Sequence, residues 1–195
     1  ERVPKRPCGL SVCARLCGSH GAGCFYSAIF MTEETAAMPT LLVADAHRQR
    51  DGSQDRKTVD VAVGILINEH QQFLLTSRPS GKVYEGYWEF PGGKLEANET
   101  VAQALTRELE EELGLKIGDV QMWRQQLVDY PHALVRLNFC KVHSWQGNLE
   151  MREGQQFAWQ SLPLNVVPVL PGTVPVLTWL AEERGFLGAT HPASS

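Results

Sequence analysis

The sequence predicts an α+β sandwich, and three observations carry that reading. Short β-rich runs recur between turn residues, only two segments have helical periodicity, and the chain changes character near Thr58, from a polar stretch to an apolar-patterned one. With 195 residues, 43% hydrophobic and 21% charged, the chain suffices for one domain of ordinary size plus a tail.

The elements follow in order. Val59 to Ile67 is β-rich, and Gln72 to Ser77 follows after the turn Asn68-Glu69-His70-Gln71, which predicts a hairpin. A Gly- and Pro-punctuated loop leads to one strong helix. Thr100 with Gln103 makes a capping box at its start, and Gly114 supplies the left-handed stop. Leu105, Leu109 and Leu113, with Ala102, form an apolar stripe expected to pack on a sheet. Strands are predicted near 120–130 and 134–143, then a short aromatic strand near Phe157–Gln160 and a closing helix near Val174–Glu183. Tyr87, Trp88 and Phe90 read first as core aromatics, with a base-stacking wall as the alternative, and Cys140 reads as a small buried hydrophobe.

Residues 1–57 are expected to be a disordered extension, with the polar run 44–57 as a linker. Residues 58–186 form the domain and 187–195 a flexible tail. Four of five cysteines (Cys8, Cys13, Cys17, Cys24) crowd the start without the paired CxxC knuckles of a zinc site. The unpaired Cys140 and the lack of a secretory leader pattern point to a cytoplasmic protein. No run approaches the roughly eighteen uninterrupted apolar residues of a membrane-spanning helix. The formal charge of -4 argues against a nucleic-acid polymer as partner. An anionic substrate would need placed Lys or Arg, or a metal, to neutralise it.

The informative segment is Gly92-Gly93-Lys94, followed by the helix carrying Arg107-Glu108-Leu109-Glu110-Glu111-Glu112-Leu113-Gly114. Glu108, Glu111 and Glu112 are three or four residues apart and share a face. They crowd the C-terminal half, where the helix dipole disfavours negative charge by ~0.3–1 kcal/mol each. A solvated acidic face is one reading. A divalent cation is the other, because it supplies the missing positive charge and prefers carboxylate oxygen. The glycine pair lets backbone approach an ion or phosphate closely, which favours the second.

Gly93, five residues, Glu99, seven residues, and then Arg107-Glu108-Leu109-x-Glu111-Glu112-x-Gly114-Leu115 resemble the Nudix box at every defined position, an agreement that chance gives on the order of one time in a million. The resemblance implies an α/β/α sandwich with a mixed sheet and a glutamate-rich metal-binding helix. It implies Glu108, Glu111, Glu112 and the Gly93 carbonyl as metal ligands, with Gly92, Glu99 and Arg107 supporting the loop and Arg107 also counted with the catalytic residues.

Similarity to the MutT subgroup, the 8-oxo-dGTP diphosphatases, extends over roughly residues 60–183. Trp88-Glu89-Phe90-Pro91-Gly92-Gly93-Lys94 looks like that subgroup's approach to the loop, and Arg78 like its nucleotide-directed arginine. Arg152-Glu153-Gly154-Gln155 resembles the later loop that brings another glutamate near the metal. The implied activity is Mg2+-dependent (Mn2+ substituting) hydrolysis of 8-oxo-dGTP to the monophosphate and pyrophosphate, clearing the nucleotide pool. Glu111 and Glu153 are both candidates for the base. Arg78, Glu89, Phe90, Lys94, His132 and Thr173 are the expected substrate contacts, on a monomer or weak dimer.

Thr173 departs from the pattern, standing where MutT proteins carry an asparagine, with Asn165 a poorly spaced substitute. A hydroxyl offers a single-atom contact where an amide both gives and accepts. Another nucleotide (ADP-ribose, a dinucleotide or another NTP) therefore stays open as substrate. So does a nucleotide-binding regulator without turnover, although the complete acid set counts against it. The cysteine-bearing tail as an interaction segment is the third alternative.

Overall fold

The computed structural model describes residues 41–50 and 56–192, all within the unit formed by residues 37–195. The cysteine-rich start and most of the expected extension lie outside the described residues.

The central sheet is mixed. Its strands are β1 (Leu41–Val43), β2 (Val59–Leu66), β5 (Gly92–Lys94), β7 (Gln121–Tyr130) and β8 (Ala133–Val142), in the order β1-β7-β8-β2-β5. β1 runs parallel to β7 and β2 parallel to β8, while β7–β8 and β2–β5 are antiparallel. A second sheet orders β10 (Phe157–Gln160), β3 (Phe73–Ser77) and β4 (Trp88–Glu89), and β6 (Lys116–Ile117) pairs with β9 (Trp145–Gln146).

β2 is apolar on both faces because it is covered on both. Ala62 and Leu66 meet the leucines of α1 (Val101–Leu113), whereas Val63 and Ile65 meet Val176, Leu177 and Leu180 of α2 (Val174–Arg184). The alternation follows from the two-residue strand period, and it yields three layers with the sheet between helices. α1 begins at the Thr100–Gln103 capping box and stops at Gly114, whose φ of 69° suits a residue without a Cβ.

Four expectations are corrected. The predicted hairpin does not form: β2 and β3 enter different sheets and touch through one bridge, Ile67 to Phe73, because β8 and β5 take both edges of β2. Ala104, not Ala102, joins the buried helix stripe, since Ala102 sits on the outward side of the first turn. The segment 41–50 is not a free extension. β1 adds an edge to β7, Ala44 is buried, and Arg50 and Arg56 both bond the Asp129 carboxylate, at 3.0 and 2.6 Å. In the expected tail, the Thr190 carbonyl accepts a hydrogen bond from the Leu164 N–H at 2.9 Å.

Candidate active site

A cleft of about 680 Å3 opens between the end of the central sheet and the loop 78–87. Glu89, Gly93, Glu108, Glu112 and Glu153 line it, together with Arg78, Lys82 and Lys94. Tyr84, Tyr130 and His132 add an aromatic wall, their ring centroids 5.6 to 6.3 Å apart.

Local folding explains each acid. At 100° per residue, Glu112 stands about 20° from the direction of Leu105, so it is carried onto the buried side of α1. Burial, and then the neighbouring Glu153 and Glu108 charges, push its carboxyl up to about 8. Glu108 packs against Gly93: a Cβ there would overlap its carboxylate. Glu153 is delivered by the loop after β9. Gln155, itself buried, accepts from the Glu153 N–H (2.9 Å) and donates to the Glu112 carbonyl (3.3 Å). Arg152 donates to the Glu110 carbonyl at 2.7 Å, giving the helix C-terminus the cation that its own last turn lacks.

Arg107 braces this end of the site. It grips both Glu99 oxygens at 2.9 Å, the Lys94 carbonyl at 3.0 Å and Glu108 at 2.9 Å. Glu99 is thereby held far below its ordinary range, at about 2, by hydrogen bonds from Arg107 and from the Glu96 N–H. Arg78 makes two bonds to the Glu89 carboxylate, 2.7 and 2.9 Å, and a third to the Val83 carbonyl at 2.7 Å. Desolvation still leaves Glu89 raised, with Arg78 pulling the other way.

The structure does not bring every expected residue to the cleft. Glu111, expected as ligand and base, lies about 60° from Glu108 on the side opposite Glu112. It is 63% exposed, bonds Arg107 at 3.3 Å and borders a shallow depression with Glu110 and Asp119. Thr173 does not line the cleft. It is buried at the cap of α2, while Leu170 reaches the cleft instead. Asn165 is exposed and away from it. Phe90 contributes to the lining but is 4% exposed, its ring 5.6 Å from Phe73 in the core. Trp88 packs against the same core, Cys140 is buried, and His132 is an exposed rim residue.

Sequence reasoning missed Lys82, Tyr84, Tyr130 and Gln155. Lys82 bonds Glu153 at 2.7 Å. Its only signal was a cation inside a Gly- and Pro-punctuated loop.

The donor set fits a divalent cation. Four carboxylates line one cleft; Glu89 is taken up by Arg78, and of the remaining three the half-buried Glu112 is short of positive charge, beside a glycine that leaves room at the backbone. Glu108, Glu112, Glu153 and the Gly93 carbonyl are the groups that would hold it. Among the described residues no three His, Cys, Asp or Glu side chains converge on one point as they stand. Arg107 engages the carboxylate of Glu108, and Lys82 that of Glu153.

Comparison with known proteins shows the family and the fold. The NUDIX domain matches residues 57–180. The 8-oxo-dGTP diphosphatase of Haemophilus influenzae is 41% identical over 105 residues, 54% of this chain and 77% of that protein. The CTP pyrophosphohydrolase of Escherichia coli is 34% identical over 141 residues, 70% of this chain and 98% of that one. Among solved structures, MutT from work on Aliivibrio salmonicida and Vibrio cholerae superposes with a TM-score of 0.53 at 31% identity, covering 65% of this chain and 99% of that one.

Proposed function

Because the chain belongs to the NUDIX family, hydrolases of phosphoric anhydrides, we propose that it is a Mg2+-dependent nucleoside triphosphate pyrophosphohydrolase whose leading substrate is 8-oxo-dGTP. Mn2+ substitutes in this reading. The observation that carries it is the placement of Glu108, Glu112 and Glu153 in the same cleft as the cationic side chains of Arg78, Lys82 and Lys94 and an aromatic wall. A triphosphate needs the first two features and a nucleobase the third.

When bound, the dication supplies charge stabilisation and an acidified water. The chain's own residues do the rest. Lys82 and Lys94 offset phosphate charge, and Arg78 with Glu89 fixes the loop above the sheet. Arg107 is a positioning residue, because it sets Glu108 and the 94–99 loop relative to each other. Glu153, which lines the cleft while Glu111 does not, is the better-placed proton acceptor once Lys82 turns to phosphate. The products are the monophosphate and pyrophosphate. The enzyme acts on free nucleotides in the cytoplasm, as a monomer or weak dimer, without nucleic-acid or membrane partners.

A second reading, pyrophosphate release from a pyrimidine triphosphate, is favoured by two observations. Thr173 lies outside the cleft, and the CTP pyrophosphohydrolase aligns over more of this chain than the Haemophilus relative does. The test is a nucleotide panel assayed for pyrophosphate and phosphate with Mg2+ and with EDTA. Pyrophosphate from 8-oxo-dGTP at a kcat/KM well above that for dGTP and CTP supports the first reading. Preference for CTP supports the second, and metal-independent turnover overturns both.

A further inference from the structure

Asp45 lies upstream of the matched residues 57–180, yet its carboxylate accepts a hydrogen bond from the Tyr84 hydroxyl at 2.7 Å. Tyr84 is a wall of the cleft; Asp45 is not among the residues lining it. The segment that carries Asp45 is built into the sheet. Leu41 to Val43 pair with Leu127 to Asp129, and the Ala44 N–H continues the ladder to the Asp129 carbonyl at 3.0 Å. Arg50 folds back to bond the Ala44 carbonyl at 2.9 Å and Asp129. Asp45 therefore sits on a fixed stretch of backbone, next to a buried residue.

The apolar contacts run the same way. Ala44 and Leu42 share one packed cluster with Tyr84, Tyr130 and Val135, three residues that line the cleft. Tyr84 in turn touches Tyr87, Tyr130 and His132, with ring centroids 5.3 to 6.3 Å apart. The loop that bears Tyr84 also carries Lys82, and it is closed at its neck by two backbone bonds, from the Arg78 N–H to the Tyr87 carbonyl at 2.9 Å and from the Gly86 N–H to the Arg78 carbonyl at 3.0 Å. One anchor on Tyr84 thus sets the position of the loop's aromatic and cationic groups together.

We propose that Asp45, delivered by the strand Leu41–Val43, is a positioning residue for substrate binding: it holds Tyr84 and the 78–87 loop against the cleft and acts on nucleotide affinity, not on the chemical step. The inference rests on the nucleotide-hydrolase reading. A group that acts by placing a binding wall changes KM and leaves kcat, whereas a group serving the reacting centre changes kcat.

The experiment measures KM and kcat for pyrophosphate release from 8-oxo-dGTP and CTP, with thermal melting alongside. The proteins are the parent chain, Asp45→Ala, Asp45→Asn, Tyr84→Phe and the double variant Asp45→Ala/Tyr84→Phe. Asp45→Ala and Tyr84→Phe each raise KM about fivefold, the loss of one half-buried hydrogen bond, with kcat within twofold. The double variant is no worse than either single one, because both remove the same bond. Asp45→Asn, which keeps an acceptor oxygen, returns KM to within twofold of the parent. Tyr84→Phe retains the ring and its packing, so it reads the bond even if Asp45→Ala melts early. Unchanged KM in Tyr84→Phe, a fall in kcat alone, or additive losses in the double variant overturn the inference while leaving the hydrolase reading intact. A parent that turns over no nucleotide overturns the reading and the inference with it.

Discussion

Arg107 holds Glu99 through two parallel N–H···O bonds of 2.9 Å, Nε to Oε1 and Nη2 to Oε2, and reaches Glu108 and the Lys94 carbonyl with the same guanidinium. One side chain thus fixes the loop to the helix and orients a candidate ligand. Only a planar fork makes that set of bonds, and an ammonium does not. Arg107→Lys is expected to lower kcat about tenfold to a hundredfold, nearly as much as Arg107→Ala, with circular dichroism unchanged. Recovery of near-parental turnover by the lysine would show that charge alone matters there.

Gly92 and Gly93 are adjacent but restrict substitution for different reasons. At Gly92 the φ of 147° and the Ala62 carbonyl exclude a Cβ, so Gly92→Ala strains the β2–β5 pairing and lowers Tm. At Gly93 the nearest atoms that a Cβ meets are those of the Glu108 carboxylate, a side chain and not backbone. Gly93→Ala is therefore expected to keep its melting temperature within a few degrees and lose turnover by about a hundredfold or more. Melting curves and initial rates of the pair decide it; equal losses of stability in both would contradict the assignment.

The Glu112 carboxyl gives a pH signature. In the metal-free protein it keeps its proton to about pH 8, whereas the unfolded chain releases it near its ordinary 4.5. The native state thus binds more protons across that window, and stability falls as pH rises through it, by up to ~1.4 kcal/mol per unit. Urea unfolding in EDTA at pH 5 to 8 should show this slope, and Glu112→Gln should flatten it. A parent profile that the substitution leaves unchanged would refute the buried, charge-crowded placement.

Asp129 has the opposite sign. Burial works to raise its carboxyl, but bonds from Arg56 and Arg50 outweigh that and leave it lowered. Its stabilising effect is therefore present above its ordinary 3.8 and lost as pH falls through the folded value. Asp129→Asn is expected to lower Tm at pH 7 and to expose residues 41–50 to limited proteolysis. Equal protease resistance in the two proteins would show that the two arginines do not secure the segment.

What could be read from the sequence was local. The capping box, the Gly114 stop and the leucine stripe depend on residues within two turns of one another, and α1 forms as expected. Glu99 of the loop and Arg107 of the helix, eight apart, were within reach of spacing arguments. Lys82–Glu153, Asp45–Tyr84 and Gln155 under Glu112 join residues 39 to 71 positions apart, and no spacing rule reaches that far. Glu108, Glu111 and Glu112 show the limit most clearly. Periodicity puts them on one broad face, but which flank of it meets the cleft depends on where the 150–155 loop and β5 arrive. The lost hairpin has the same origin, since β2 pairs with distant β8 and with β5 and meets near β3 at one bridge.

The central claim is that Glu108, Glu112 and Glu153 gather in the cleft to hold a dication for hydrolysis, with Glu111 outside. It is tested most directly by the rate of pyrophosphate release at saturating Mg2+ and nucleotide in Glu112→Gln and Glu111→Gln. The account predicts a loss of about a hundredfold or more in the first and less than about tenfold in the second. Glu112→Gln within tenfold of the parent, or the two losses reversed, would contradict it.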